Sequence, residues 1–164
     1  MFPPKLIVSP IDFSEHSQEA LKTATEMAKA FGAELLLVHA VPAIPRLPSA
    51  TEFFHEAEFE AALHKEAEQK LAAIVSDLSR EGIRARTEIG IANDAGMEIL
   101  RIAEHSGADM IVIATHGMTG WHKIVFGSVA EKVVKLAPCP VLVLRAARKA
   151  EPEEASRRRD SVSV

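Results

Sequence analysis

Residues 109–128 read DMIVIATHGMTGWHKIVFGS, and the folding of this stretch decides the architecture. Residues 109–114 form a short apolar run without polar alternation, as expected of a strand buried on both faces. The next residues carry Gly117, Gly120 and Gly127 and lead directly into a helical pattern that opens at Gly127 and Ser128. A buried strand, a glycine-bearing loop and a helix start, in that order, are parts of a parallel α/β layer.

The same alternation extends in both directions. Further apolar runs at residues 5–9, 34–40, 85–90 and 139–145 bring the expected strands to five, with helix-like stretches between them. The first helix is expected near Asp12, in an Asp-x-x-Glu start with Ser14 as a second possible cap, and it stops at Gly32. Its apolar positions are Leu21, Ala24, Met27, Ala28 and Phe31. The second carries a stripe of Leu63, Ala67, Leu71, Ile74 and Leu78 and ends at Gly82. The third starts near Asn93 and ends before Gly107. The fourth starts at Gly127 and Ser128, where Ser128 and Glu131 have capping-box spacing, and Pro138 bars its continuation. Pro42, Pro45 and Pro48 read as a stiff connector or as a polyproline II ligand. Residues 146–164 mix charges with Ser and Ala and are expected to be a disordered tail, leaving 1–145 as the domain.

Composition removes whole classes of function. With 164 residues, 48% hydrophobic and 26% charged, one domain with a substantial core is expected. No apolar run reaches the roughly 18 residues that a membrane span needs. The opening, with one lysine and a short apolar run broken by Pro10, is too weak for a secretory signal, so a cytoplasmic protein is expected. A net charge of −4, with seven Phe, one Trp and no Tyr, argues against a nucleic-acid groove. The single cysteine, Cys139, excludes an internal disulfide, a CxxC pair and a cysteine-rich zinc site; it reads as an inert small hydrophobe.

In an open parallel sheet ligands bind beyond the carboxyl ends of the strands, which places function in residues 114–128. Glycines let backbone N–H groups approach a phosphate, and the helix start at Gly127 and Ser128 adds free donors and partial positive charge. The same residues could equally form a tight turn with Ser128 as a cap. Asp12, at the end of the first strand, could take hydrogen bonds from a ribose or base, help hold a divalent cation, or cap the first helix. Neither GxxxxGK(S/T) nor GxGxxG is present, which removes the P-loop and dinucleotide-fold readings. None of the seven histidines forms a zinc-hydrolase pair: His116 and His122 lie in the loop, and His39 reads as a hydrogen-bonded pocket-wall residue. His16, His55, His64 and His105 read as helix surface. Trp121 reads as a loop anchor or a lid.

The loop together with ADMIVIATHG, GSVAEKVV and APCPVLVLR, and the earlier SPIDFSEHS and LLLVHAV, resembles the universal stress protein family over about residues 4–145. The resemblance implies a flavodoxin-like, Rossmann-like doubly wound five-stranded parallel sheet of order 3-2-1-4-5, usually homodimeric, serving stress adaptation. Its ATP-binding branch carries Gly-x2-Gly-x9-Gly-Ser/Thr; here Gly117, Gly127 and Ser128 match, and Ala114 stands in place of the first glycine. By similarity Asp12 contacts the nucleoside, Pro10 shapes its loop, and the backbone of Ala40 meets adenine. Gly117, Gly120, Gly127, Ser128 and Val129 offer amides or a hydroxyl to the phosphates of ATP, which a magnesium or manganese ion bridges. The implied function is a regulatory nucleotide sensor with no assigned catalytic residue, at most a slow ATPase. The alternative is a dimeric stress-related interaction protein without nucleotide, in which Ala114 marks loss of the site.

With the implied strand order, residues 85–89 and 141–144 lie at the sheet edges. The first edge is charged and the second apolar, so a homodimer through strand 139–145 is expected.

Overall fold

The computed structural model describes residues 2–43, 52–115 and 127–145, with residues 52–57 as backbone alone. Among the described residues nine elements follow one another: β1 (Leu6–Pro10), α1 (Glu15–Phe31), β2 (Glu34–Pro42), α2 (Glu52–Arg80), β3 (Ala85–Ala92), α3 (Ala95–Ser106), β4 (Met110–Ala114), α4 (Ser128–Leu136) and β5 (Val141–Leu144). The five strands form one sheet of order β3-β2-β1-β4-β5, every neighbouring pair parallel, which is the doubly wound flavodoxin-like arrangement expected.

Two apolar layers explain why the strands lack alternation. Ile7, Leu35, Leu37 and Val112 face Ala24, Ala28, Leu71 and Leu78 of α1 and α2. The intervening positions Val8, Leu36, Ile111 and Ile113 face Ile99, Ile102, Ala130 and Val133 of α3 and α4. Successive strand residues point to opposite faces, so both sets must be apolar. Each fully buried Leu or Ile contributes about 1.5–3 kcal/mol over its exposed state.

Local chemistry sets the helix ends. Ser14 caps α1: its hydroxyl accepts from Ser17 N at 3.1 Å, whereas Asp12 stands outside the helix. Gly32 closes α1 with φ of 65°, and Phe31, the last of the apolar positions at helical spacing, packs edge-on against Phe2 at 5.1 Å. The cap of α3 is Asp94, accepting from Met97 N at 3.1 Å, and Gly107 closes that helix with φ of 67°. At α4 the expected capping box does not form. Gly127 occupies the N-cap position without a side-chain bond, Ser128 is the first helical residue, and Glu131 pairs with Lys135 at 2.7 Å. The difference is one residue of register, enough to put the Ser128 hydroxyl where it cannot cap. Ala137, extended before Pro138, ends the helix.

β5 is shorter than residues 139–145, because Pro140 has no N–H to offer; its carbonyl accepts from Ile111 N at 2.9 Å before the ladder begins. Asp109 lies just ahead of β4, and its carboxylate accepts from Lys5 N (2.8 Å) and Leu6 N (3.0 Å), fixing the entry of β1 against that strand. Pro42 ends β2; Pro45, Pro48 and residues 146–164 lie outside the described residues. Among the described residues no helix is long and apolar enough to cross a membrane.

Candidate functional site

A cleft of about 300 Å³ opens where β1, β2 and β4 end, between the β1–α1 turn and the starts of α3 and α4. This is the crevice that the fold creates where strand order reverses, since β1 has β2 on one side and β4 on the other. Val38, Ile99 and Ile113 give it an apolar floor, and Ala95, Val129 and Ala130 line its helix side. Polar groups come from Asp12, Ser17, His39, Thr115 and Ser128; among the described lining residues there is no Lys or Arg.

Of the residues singled out in the sequence, Pro10, Asp12, Ala40, Gly127, Ser128 and Val129 all line this cleft. They come from three separate segments and meet only through the sheet topology. Gly117 and Gly120 lie outside the described residues, as do His116, Trp121 and His122.

The Asp12 carboxylate accepts from Ser14 N at 3.1 Å and from the Ser14 hydroxyl at 2.6 Å. Ser14 therefore donates to Asp12 while accepting from Ser17 N, and the Ser17 hydroxyl donates to Ser14 O at 3.0 Å. This answers the choice left by the sequence: Ser14 is the cap, and Asp12 braces it from the cleft side. His39 is a hydrogen-bonded wall residue. Its Nδ1 lies 2.6 Å from Ile11 O, and a carbonyl can only accept, so Nδ1 carries the proton.

Between Asp12 and Ser14 stands Phe13 with φ of 63°, the one non-glycine left-handed residue among those described. For a bulky side chain that conformation costs about 1–3 kcal/mol and persists only where neighbours hold it. Its ring lies 4.7 Å from the His39 ring, and Lys70 Nζ of α2 lies 5.1 Å from its centroid. Sequence reading missed Phe13, because no periodicity or motif spacing reports a single φ angle.

The α4 side of the cleft is pinned through backbone. Thr115 N donates to Leu144 O and Gly127 N donates to Thr115 O, both at 2.8 Å. Residues 115 and 127 are thus joined, and the start of α4 is fixed at the end of β4. Gly127 uses its own N–H in this bond and, as the N-cap residue, has no side chain to cap the helix, so the donors of the first turn, at Ser128, Val129 and Ala130, stand at the cleft end with the positive pole of the helix dipole. Gly127 itself has φ of −60° and ψ of 147°, a conformation open to any residue. Ala114 also lines the cleft and has ordinary strand backbone, hydrogen-bonded in register with Leu144.

On the rim, Asp94 is paired with Lys132 of α4; that hydrogen bond, followed by the one from Met97 N, holds the carboxyl below its usual range. Cys139 lies away from the cleft lining, and burial, with the Asp109 charge nearby, pushes its thiol up, which disfavours the reactive thiolate. Among the described residues no three His, Cys, Asp or Glu side chains converge as a metal site.

Comparison with known proteins agrees with this fold. The model of the universal stress protein family matches residues 4–145. Universal stress protein MJ0531 of Methanocaldococcus jannaschii is 38% identical over 148 residues, covering 88% of this chain and 84% of the relative. A universal stress protein of Thermus aquaticus is 32% identical, covering 86% of this chain and 98% of the relative. Among solved structures, that of M. jannaschii MJ0577 superposes with a TM-score of 0.77 at 31% identity, over 88% of this chain and 97% of that one. Lactobacillus plantarum UspA gives the same TM-score at 24% identity, over 86% of this chain and 97% of that one. The chain belongs to the universal stress protein family.

Proposed function

We propose that this protein is a cytoplasmic ATP-binding regulator in stress adaptation, a nucleotide sensor with little or slow hydrolysis. The observation that carries the reading is the convergence of Pro10, Asp12, Ala40, Gly127, Ser128 and Val129 on one cleft with an apolar floor. An adenine suits the floor of Val38, Ile99 and Ile113, and the backbone at Ala40 offers polar groups to its edge. Asp12 suits ribose hydroxyls, and the start of α4, where the N-cap Gly127 has no side chain, suits phosphate oxygens together with the Ser128 hydroxyl. Gly117 and Gly120 complete the phosphate side on this reading. A single carboxylate on the cleft wall cannot make a metal site unaided, so a magnesium or manganese ion comes with the polyphosphate and takes most of its ligands from phosphate and water. Slow turnover follows from the lining: no Lys or Arg of the described wall is placed to neutralise charge in a phosphoryl-transfer transition state.

The same reading makes the protein a homodimer through β5. All four residues of that edge strand are half-buried in the single chain, and the adjoining α4 leaves Val134 and Leu136 exposed. An apolar edge with unpaired backbone groups is a template for another strand.

The test is direct. Extraction of the denatured, purified protein is expected to release adenine nucleotide, and ATP at 100 times its dissociation constant should stabilise the fold by about 2.7 kcal/mol. At about 2–4 °C per kcal/mol for a chain of this size, the melting temperature rises by about 5–10 °C. No nucleotide in the extract and no shift at millimolar ATP would overturn the reading in favour of an interaction protein without nucleotide.

A further inference from the structure

We propose that Phe13 is a positioning residue for the nucleoside half of the cleft: its strained turn, gripped by His39 of β2 and Lys70 of α2, holds Asp12 at the cleft wall. The proposal rests on the nucleotide reading for its ligand but on independent geometry for its mechanism.

A glycine at position 13 would make the same left-handed turn without strain. The chain instead places a bulky aromatic residue there, and the contacts of the ring explain the choice. It packs against the core layer of α1 and α2, on the side of the sheet away from α3 and α4. It meets the His39 ring at 4.7 Å with the planes inclined by 42°, while the Lys70 ammonium stands 5.1 Å from its centroid. His39 takes a second hold on the same turn through Ile11 O at 2.6 Å, and Ile11 N donates to Val38 O at 2.8 Å. Residues 11 and 13 are therefore anchored to β2 and α2, and Asp12 between them has little freedom to turn away. Its carboxylate in turn orders Ser14, the cap of α1.

The arrangement gives the cleft a link to the opposite face of the sheet. Lys70 lies on α2 and is not a lining residue, yet it touches the residue that sets Asp12. A substitution at Phe13 should therefore affect ligands that need Asp12, and spare ligands held by the start of α4 alone.

The experiment compares wild type, Phe13→Gly and Phe13→Tyr in three measurements: binding of adenosine and ATP, binding of inorganic tripolyphosphate, and amide exchange at Ser14 and Ser17. Glycine keeps the left-handed turn accessible, so the fold is retained while the grip is lost. Loss of one well-placed charged hydrogen-bond partner weakens binding about tenfold. The expected result is that fall for adenosine and ATP, unchanged tripolyphosphate binding, faster exchange at Ser14 and Ser17 in Phe13→Gly, and recovery in Phe13→Tyr. Equal losses for all three ligands would mark general destabilisation and overturn the proposal, as would unchanged exchange at Ser14 and Ser17. If wild type binds neither adenosine nor ATP, the nucleotide reading falls by itself. The exchange rates then still decide: acceleration in Phe13→Gly with recovery in Phe13→Tyr supports Phe13 as the holder of the turn, and rates equal to wild type refute it.

Discussion

Replacing Ser9 by alanine should make the protein more stable. Ser9 sits on the central strand β1, in register with Leu37, and has no exposed surface. Its neighbours on the same face, Ile7 and Ile11, belong to the apolar layer beneath α1 and α2, and among the described residues its hydroxyl has no hydrogen-bond partner. Burying a hydroxyl without a partner costs about 1–3 kcal/mol, and Ser9→Ala removes that cost. The missing oxygen leaves a gap of roughly 10–15 Å³, which at about 24 cal/mol per Å³ returns about 0.3 kcal/mol. The net gain is about 0.7–2.7 kcal/mol, or about 1–11 °C in melting temperature for a chain of this length. Urea unfolding followed by circular dichroism should show a higher midpoint with an unchanged slope. Ser17 provides the opposite control. It is also buried, but its hydroxyl donates to Ser14 O at 3.0 Å, so Ser17→Ala should lose about 0.5–1.5 kcal/mol. If Ser9→Ala is destabilised like Ser17→Ala, the Ser9 hydroxyl is satisfied, for example by an internal water, and the reasoning fails.

Two further expectations follow from the packing around α3 and the entry of β1. A Cβ at Gly90 would collide with Oε1, Cγ and Cδ of Glu98, so Gly90→Ala must displace that side chain from its fork with Arg101. Because the clash reaches Cγ of a side chain that is only 12% exposed, the whole Glu98 side chain must move, so the loss should be about 1–3 kcal/mol and should vanish when Glu98 is alanine, which a double-mutant cycle measures. Asp109 is held below its ordinary value of 3.8, first by the Lys5 and then by the Leu6 backbone N–H. A lowered folded-state pKa gives stability that is present above 3.8 and lost as pH falls through the lower folded value. Acid titration of unfolding should therefore show a shallower decline for Asp109→Asn than for wild type below pH 3.8, and parallel curves would refute the role.

Much of this architecture was legible because the fold depends on a coarse pattern. Apolar runs such as those of β2 and β4 are buried on both sides, and the glycines at 32, 82 and 107 close helices in left-handed conformations that favour them. The errors fall where a single bond or one residue of register decides. Position 128 has the composition of a cap and the wrong register to be one, while Asp94, Ser14 and Asp12 sort themselves by hydrogen bonds that spacing cannot rank. The cleft was readable as a set of segments, since strand ends converge by topology. Thr115, Ile99 and Ile113 were not singled out, because an apolar floor has the same composition as any other part of the core. Phe13 was invisible for a different reason: its conformation is imposed by contacts from β2 and α2, which lie far away in the chain.

The charge distribution limits how such a cleft can hold an anion. Residues 146–164 carry five basic and four acidic side chains, so the remainder of the chain has a formal charge of about −5. Among the described lining residues Asp12 is the only formally charged side chain, and it is negative. Among the described residues, attraction for phosphate comes from oriented backbone, where a helix N-terminus supplies roughly half a positive charge over its first turn. The bond from Gly127 N to Thr115 O matters for this reason, since it fixes the pole of α4 at the end of β4. Ala114 stands beside that pole. Its backbone is ordinary strand, so a glycine there would contribute space and no conformation that alanine lacks. Exchanging Ala114 for glycine would therefore change one methyl of volume at the cleft wall and leave the donors of α4 in place.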